Sequence, residues 1–319
     1  MFFHSNEIVL IRNNQGIFLL PLYDLYELGK KNKDYMLFDN VYIQSEFGWN
    51  KLFSMKRIKN KNWVTYQAKS GNITLSDNSK EYRKLPKANL NSLNLGKGNN
   101  NYNILWILGY VFLQGKSNII NCRKSSSEYL YYIIKNQLNS ILQDIPYSQI
   151  AYKDDTDNLQ YKGKFILSDV SIEEYLMDNY GLSEITFPNN LLFVYNKMQI
   201  KRFIAGIIDA NCRIKDYSWK TSCLSPLFLK KLHWILNYIN VPSYLNIRHD
   251  NLYELGIKYD KNIMSYIITP DLKKLNPMKF IPDITNKVYK KVLSSKEDYA
   301  FELNCNKPNI NISNLNLKL

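Results

Sequence analysis

The side chains best suited to chemistry are basic and aromatic, interleaved along short segments that read as strands. Tyr152-Lys153, Gln160-Tyr161-Lys162-Gly163-Lys164, Arg213-Ile214-Lys215-Asp216-Tyr217, Asn246-Ile247-Arg248-His249 and Lys258-Tyr259 share the pattern. Alternate residues of a strand lie on one face, so Lys162 and Lys164 point together. Such a face offers phosphate contacts and a few base-edge contacts in a major groove. An ordinary solvated sheet face is the plain alternative for any one strand. Lys116, Arg123, Lys124 and Lys153 extend the set of candidate DNA contacts. Metal chemistry has less to draw on. Cys122, Cys212, Cys223 and Cys305 form no CxxC pair, and the only histidines are His4, His233 and His249. Cys212, Cys223 and His233 can be drawn as ligands, but small buried cysteines are the commoner case. The cysteine usage reads as a reducing compartment without structural metal.

The elements that must position these residues fall into two regions. Through about residue 95 the chain reads as short strands. Glu7-Ile8-Val9-Leu10-Ile11, an Asn13-Asn14-Gln15-Gly16 turn and Ile17-Phe18-Leu19-Leu20 spell a hairpin. Val41-Tyr42-Ile43, Trp63-Val64-Thr65-Tyr66 and Asn72-Ile73-Thr74-Leu75 are further strand candidates. Residues 96–103, with Gly96-Lys97-Gly98-Asn99-Asn100-Asn101, read as a flexible linker.

Beyond the linker the chain repeats itself. The apolar segment from Ile104 to Leu113 carries Gly109, and the segment from Phe203 to Ala210 carries Gly206, 97 positions later (206 − 109). The first is followed by a serine-capped helix, Ser126 to Ile145, and the second by a helix opening on Ser225-Pro226. A turn proline (Pro146, Pro242), a strand pair (about 150–167 and 244–259) and a short helix (near 172–177 and 262–267) then follow in each. Two copies imply a pseudo-symmetric pair of α+β units, at 104–195 and 196–289. A glycine inside an apolar helix costs about 1 kcal/mol against alanine and is tolerated where two backbones must approach closely. Paired in two repeats, these glycines predict a helix–helix interface.

Composition sets the class of partner. In 319 residues there are 42 Lys and Arg against 28 Asp and Glu, a formal charge of +14. That favours a polyanion, nucleic acid before anionic membrane. With 45% apolar residues, wholesale disorder and collagen-like structure are excluded. No apolar run reaches the roughly 18 residues of a membrane span, and the first residues lack the layout of a signal peptide, so an intracellular protein is expected.

Phe203-Ile204-Ala205-Gly206-Ile207-Ile208-Asp209-Ala210-Asn211-Cys212 resembles the LAGLIDADG motif of homing endonucleases. Ile107-Leu108-Gly109-Tyr110-Val111-Phe112-Leu113-Gln114-Gly115 is similar to the first copy of that motif in single-chain members. The resemblance covers about residues 100 to 285. It implies two motif helices at a pseudo-two-fold axis, two four-stranded saddles tracking the major groove of double-stranded DNA, and divalent metal such as Mg²⁺ at the helix ends for phosphodiester cleavage. It also implies a metal-binding carboxylate at the eighth motif position of each helix. Here those positions hold Gln114 and Asn211. An amide can offer an oxygen but no negative charge, and a hard divalent ion needs carboxylates. Asp209 lies two residues earlier, about 200° round a helix, and cannot simply substitute. Cys212 replaces the usual glycine. Lys164 and Lys258 are candidates for the lysine the family places near each active site.

Glu7 to Ile11, Val41-Tyr42-Ile43 with Trp49 to Leu52, and Gly71 to Ser79 resemble the first half of an intein splicing (Hint) domain, and Tyr299 to Leu303 the strand near its end. Residues 1–95 with about 290–319 would form that mainly-β domain. Splicing needs a leading Cys or Ser, a Thr-x-x-His pair and a terminal His-Asn. The corresponding places hold His4, Ser76-Asp77-Asn78-Ser79 and Asn316-Leu317-Lys318-Leu319, so no splicing is expected, and the starting methionine fits a free-standing product. The basic run Lys51, Lys56, Arg57, Lys59, Lys61 reads as added DNA contacts or a solvated loop. The expected fold class is α+β: two pseudo-symmetric α/β repeats plus the mainly-β domain, acting as a monomer that binds double-stranded DNA, cleavage-impaired, without membrane contact. An active endonuclease with non-standard ligands such as Asp209, and an RNA-binding intron maturase-like cofactor, are the competing readings.

Overall fold

The computed structural model describes the 319-residue chain except residues 47, 69–70, 80, 85–86, 89, 91–92, 94, 101–102, 113–118, 122–127, 142–146, 154–160, 168–171, 181–186, 223–224, 248–252, 278–287, 289, 314 and 319. It is a mixed α and β structure with antiparallel sheets. The N-terminal elements are β1 (Phe3–His4), β2 (Ile8–Asn13), β3 (Gly16–Pro21), α1 (Leu22–Glu27), β4 (Lys30–Asn32), β5 (Tyr35–Leu37), β6 (Tyr42–Ser45), β7 (Gly48–Ala68) and β8 (Gly71–Ser76). Next come α2 (Leu105–Phe112), β9 (Ile119–Asn121), α3 (Glu128–Ile141), β10 (Tyr147–Lys153), β11 (Tyr161–Leu167), α4 (Ile172–Tyr180) and α5 (Phe187–Val194). Then follow α6 (Lys197–Asn211), β12 (Arg213–Lys215), β13 (Ser218–Thr221), α7 (Pro226–Tyr238), β14 (Ser243–Ile247), β15 (Tyr253–Ile257) and α8 (Lys261–Tyr266). The chain returns through β16 (Lys290–Cys305), β17 (Asn309–Ile312) and β18 (Leu315–Lys318) to the first sheet.

That sheet has nine strands, β16-β1-β8-β7-β6-β2-β3 along its main path, with β4 and β5 hung from β7. The predicted hairpin is β2–β3, and its turn is closed by the Asn13 side chain, which accepts from Gln15 N and Gly16 N at 2.9 and 3.1 Å. Strand β2 answers a question of pattern. Ile8-Val9-Leu10-Ile11 does not alternate, because both faces are covered. Ile8 and Leu10 join the core of the repeats, whereas Val9 and Ile11 join the core of the N-terminal sheet. Both cores meet on this strand.

The long β7 pairs with β16 over most of its 21 residues, with two irregularities, one between Ser295 and Asp298 and a second where Asn304 faces Ser54 and Cys305 faces Leu52. Phe53 therefore has no partner on β16. Such a bulge shifts which side the following residues face. Leu52 and Met55, three positions apart, are accordingly both buried in the same core.

In the repeats, α2 and α6 lead into a three-stranded sheet (β10-β11-β9) and a four-stranded one (β12-β13-β15-β14). The first predicted saddle thus shows three strands among the described residues. Helix α7 starts as read, with Ser225 accepting from Phe228 N at 3.1 Å and Pro226 in its first turn. The helix expected over 126–145 is described over Glu128–Ile141. The stretch expected to be flexible is in part anchored: Gly98 N donates to Val194 O, Asn99 N donates to Gln199 Oε1, and Gln199 Nε2 donates to Asn99 O. Gln199 completes a capping box with Asn196 at the start of α6, so the connector is pinned to a helix end.

Candidate nucleic-acid interface and motif helices

Helices α2 and α6 cross with no room for a side chain at either glycine. A Cβ on Gly109 would overlap the carbonyl oxygen of Phe203, and one on Gly206 would overlap that of Trp106. Residues 106 and 203 are themselves 97 apart, as are 109 and 206, so each contact maps onto the other when the repeats exchange. The flanking pairs keep the exchange and change the chemistry. Phe112 meets Phe203 with ring centroids 5.9 Å apart. At the equivalent place Trp106 Nε1 donates to Asp209 Oδ2 at 2.8 Å. One side of the pseudo-two-fold is aromatic and the other polar. Phe112 also stacks on Phe228 at 5.6 Å, which ties α2 to α7.

Asp209 is fully buried and its oxygens are committed. Oδ2 accepts from Trp106 Nε1 and from Ile268 N at 2.9 Å, and Oδ1 accepts from Thr269 N at 2.9 Å. Burial pushes its carboxyl above the usual range, while these N–H donors pull the other way. These bonds fasten the segment after α8 to α6 and engage both oxygens of the residue that the competing reading offers as a metal ligand. Asn211 ends α6 half-buried. Gln114 lies outside the described residues. Among those described, no group of three His, Cys, Asp or Glu side chains converges to hold a metal. Of the described residues at these helix ends, Asn211 brings an amide and Asp209 a carboxylate already engaged by three N–H donors, a poor donor set for a hard divalent cation. His233, offered in the sequence as a possible zinc ligand, turns its Nδ1 to Ser243 Oγ at 2.9 Å. Burial, and then nearby Lys87, lower its pKa to about 3, so it is neutral. Cys212 is buried at the end of α6, and Cys223 lies outside the described residues.

The four-stranded sheet has one core face and one charged face. Trp219, Leu255, Ile257 and Leu245 are buried on the first. In the register Arg213–Lys220–Gly256–Tyr244 one row crosses all four strands on the second. Arg213 and Lys215 are exposed. Lys220, which the basic–aromatic pattern does not single out, is buried at 7% exposure and bonded to Asp216 (2.6 Å) and Glu254 (3.1 Å). Burial opposes its charge, but those two hydrogen bonds prevail and hold its pKa well above the ordinary lysine value. Its signal in the sequence was its place opposite Arg213 across a tight hairpin. The Tyr244 ring lies over Gly256, where any Cβ would overlap it. Lys258 Nζ sits 5.2 Å from that ring's centre and Lys220 Nζ 5.8 Å. Ser218 Oγ and Tyr244 Oη, 2.9 Å apart, fix the ring's rim.

Other predicted residues divide by location. Lys153 ends β10, and Lys162 and Lys164 lie on β11, in register with Tyr152 and Ile150; these segments are described by their backbone. Lys116, Arg123, Lys124 and Arg248 lie outside the described residues. His4 and Ser76 occupy neighbouring strands β1 and β8, and Ser79 closes the turn after β8 by donating its N–H to Ser76 O at 2.9 Å. His4 Nε2 is 3.2 Å from Asp298, which also accepts from Ser5 Oγ at 3.1 Å. Burial, and then Lys230, lower its pKa.

No family model matches the sequence, and no curated protein does. Among solved structures, the chain is similar to the homing endonuclease I-DmoI, of the LAGLIDADG kind. A variant bound to its target DNA in the presence of manganese shares 17% identity with a TM-score of 0.36, covering 55% of this chain and 96% of that one. A complex of I-DmoI with DNA and manganese gives 17%, 0.34, 50% and 94%. A mesophilic variant gives 14%, 0.34, 54% and 97%.

Proposed function

We propose that the chain binds double-stranded DNA on a homing-endonuclease-like scaffold whose cleavage centre is degenerate. The observation that carries the binding is the charged face of the β12–β15 sheet. Arg213 and Lys215 stand exposed there, beside Lys220 and Lys258 against one tyrosine ring. The exposed Arg213 and Lys215, two positions apart on one face of β12, suit the phosphates of a groove, whereas Lys220 is held by Asp216 and Glu254. The exchange-symmetric crossing of α2 and α6 supports two repeats acting as a pseudo-dimer within one monomer. Amides at Gln114 and Asn211, with Asp209 committed to the fold, support impaired cleavage. The reading of residues 1–95 and 290–319 as a splicing-inactive Hint-like domain is supported by the meeting of three distant segments: Phe3 pairs with both Leu75 and Phe301.

Duplex binding measured across a salt titration tests the reading. Affinity should fall steeply with salt, and Arg213→Ala/Lys215→Ala should flatten the log–log slope by about 0.9 for each phosphate no longer neutralised. A double variant with unchanged affinity overturns the assignment of this face. Preference for structured RNA over duplex in competition supports the splicing-cofactor alternative instead. For cleavage, a double-strand cut with Mg²⁺ or Mn²⁺ that survives replacement of Gln114 and Asn211 overturns the degenerate centre. Restoring acids, Gln114→Asp with Asn211→Asp, should raise metal-dependent cutting.

A further inference from the structure

The basic run of β7 is not one surface. Arg57 lies between the rings of Tyr26 and Tyr299, 4.6 Å from each centre, and meets Glu27 at 3.2 Å. Lys59 and Lys61 meet Glu297 at 3.5 and 4.0 Å. Lys51 and Lys56 form no ion pair among the described residues, and neither does Arg12 on β2. These three share one solvent face of the N-terminal sheet with a set of rings. Arg12, Tyr42 and Lys51 make a row across β2, β6 and β7. Arg12 lies 5.2 Å from the Tyr42 ring and 5.1 Å from that of Trp49. Lys51 lies 5.6 Å from the Phe53 ring, and Lys56, opposite Tyr35 on β5, 5.7 Å from that ring. The β7 bulge makes the surface continuous. It sends Leu52 and Met55 inward together and leaves Phe53, at 42% exposed, and Tyr35, at 44%, in solvent.

We propose that this face binds single-stranded nucleic acid. Exposed rings offer faces on which unpaired bases can stack, and a duplex, which hides its base faces, offers them little. An unpaired strand presents bases to stack and phosphates to pair in alternation. The face supplies rings and unpaired cations in alternation at the strand spacing of about 4.8 Å. Charge complementarity names the occupant: Arg12, Lys51 and Lys56 form no ion pair among the described residues, on a chain of net +14, although Asp39 lies near Lys51 and Glu302 faces Lys56. The site is separate from the β12–β15 face and stands or falls apart from it.

The test is fluorescence anisotropy on the full chain, with labelled oligo(dT), oligo(U) and a mixed-sequence duplex, and flotation on anionic vesicles. Tyr35→Ala/Phe53→Ala removes two exposed rings and should leave the fold intact by circular dichroism. It should weaken single-strand binding about tenfold or more and leave duplex binding within about twofold. Arg12→Ala/Lys51→Ala/Lys56→Ala should flatten the single-strand salt slope by about 0.7 for each phosphate no longer neutralised. Arg213→Ala/Lys215→Ala should do the reverse, lowering duplex binding alone. Weaker binding to oligo(dT), to oligo(U) or to both supports the platform and identifies the sugar it accepts. Single-strand binding that is absent in the wild type, unchanged in the ring variant, or abolished in parallel with duplex binding overturns it. So does capture of vesicles without oligonucleotides.

Discussion

At Gly206 the difference between glycine and alanine is one methyl group placed where the carbonyl oxygen of Trp106 already lies. The substitution improves helix propensity by about 1 kcal/mol, yet backbone overpacking typically costs about 1–3 kcal/mol or more. Here the neighbour is a main-chain atom in another helix and cannot swing aside. Gly206→Ala should therefore lower stability, read as a fall in urea midpoint, and Gly109→Ala should do the same by the repeat's symmetry. A variant more stable than the parent would contradict the crossing. His233 gives a second residue-scale expectation. Its folded pKa is about 3 against 6.5 unfolded, so between those values the unfolded chain binds the extra proton. Stability from this residue is complete above about pH 6.5 and is lost as pH falls toward 3, by up to about 1.4 kcal/mol per unit. His233→Gln should flatten the acid limb of a plot of melting temperature against pH. The glycines were legible in the sequence because helical glycine is costly and came twice at one spacing. Asp209 was legible as a residue but not as a fastener, since its partners Ile268 and Thr269 are backbone donors about 60 positions away.

Elements meet through one buried ion pair. Glu7, just before β2, lies 2.5 Å from Lys230 of α7, and both are buried. Glu7 also accepts from Thr74 N at 3.0 Å and from Ser313 Oγ at 2.5 Å, and Ser313 Oγ in turn accepts from Ile8 N. Burial alone would lower the pKa of Lys230, but the adjacent Glu7 carboxylate more than offsets it and holds it raised. Removing one partner of such a pair strands a charge, at about 3–5 kcal/mol, whereas removing both is far milder. Glu7→Gln and Lys230→Met should each destabilise strongly, and the double variant less than either single change. Additive losses in chemical denaturation would show that the two groups do not act together. Strand and helix patterns revealed the elements that carry this pair, including the α7 cap and the β2–β3 hairpin. Nothing local in Lys230-Lys231 announces burial, because the acid that permits it stands 223 positions away. The β7 bulge was hidden for a related reason: it is defined by register against β16, not by residue type.

On the scale of the whole molecule, the change of pattern near residue 96 is the passage from mostly β elements to alternating helices and strands. The packing of those parts was not legible in the sequence. Because β2 contributes to two cores at once, loosening either should loosen the other. Tryptophan fluorescence, which samples Trp49 and Trp63 in the N-terminal sheet and Trp106, Trp219 and Trp234 in the repeats, should follow far-ultraviolet circular dichroism through one transition. Two separated transitions would show that the cores unfold independently.

The same strand bears on how such a chain can change over generations. A β domain and a repeat pair joined only by a tether could be traded, lost or fused to other genes with little penalty. With one strand walled in on both sides and its neighbouring Glu7 neutralised by a distant helix, deleting either part leaves the survivor with bare apolar surface and an orphan charge. Single side chains of this molecule can change one at a time, but removal of a whole lobe would uncover one face of β2.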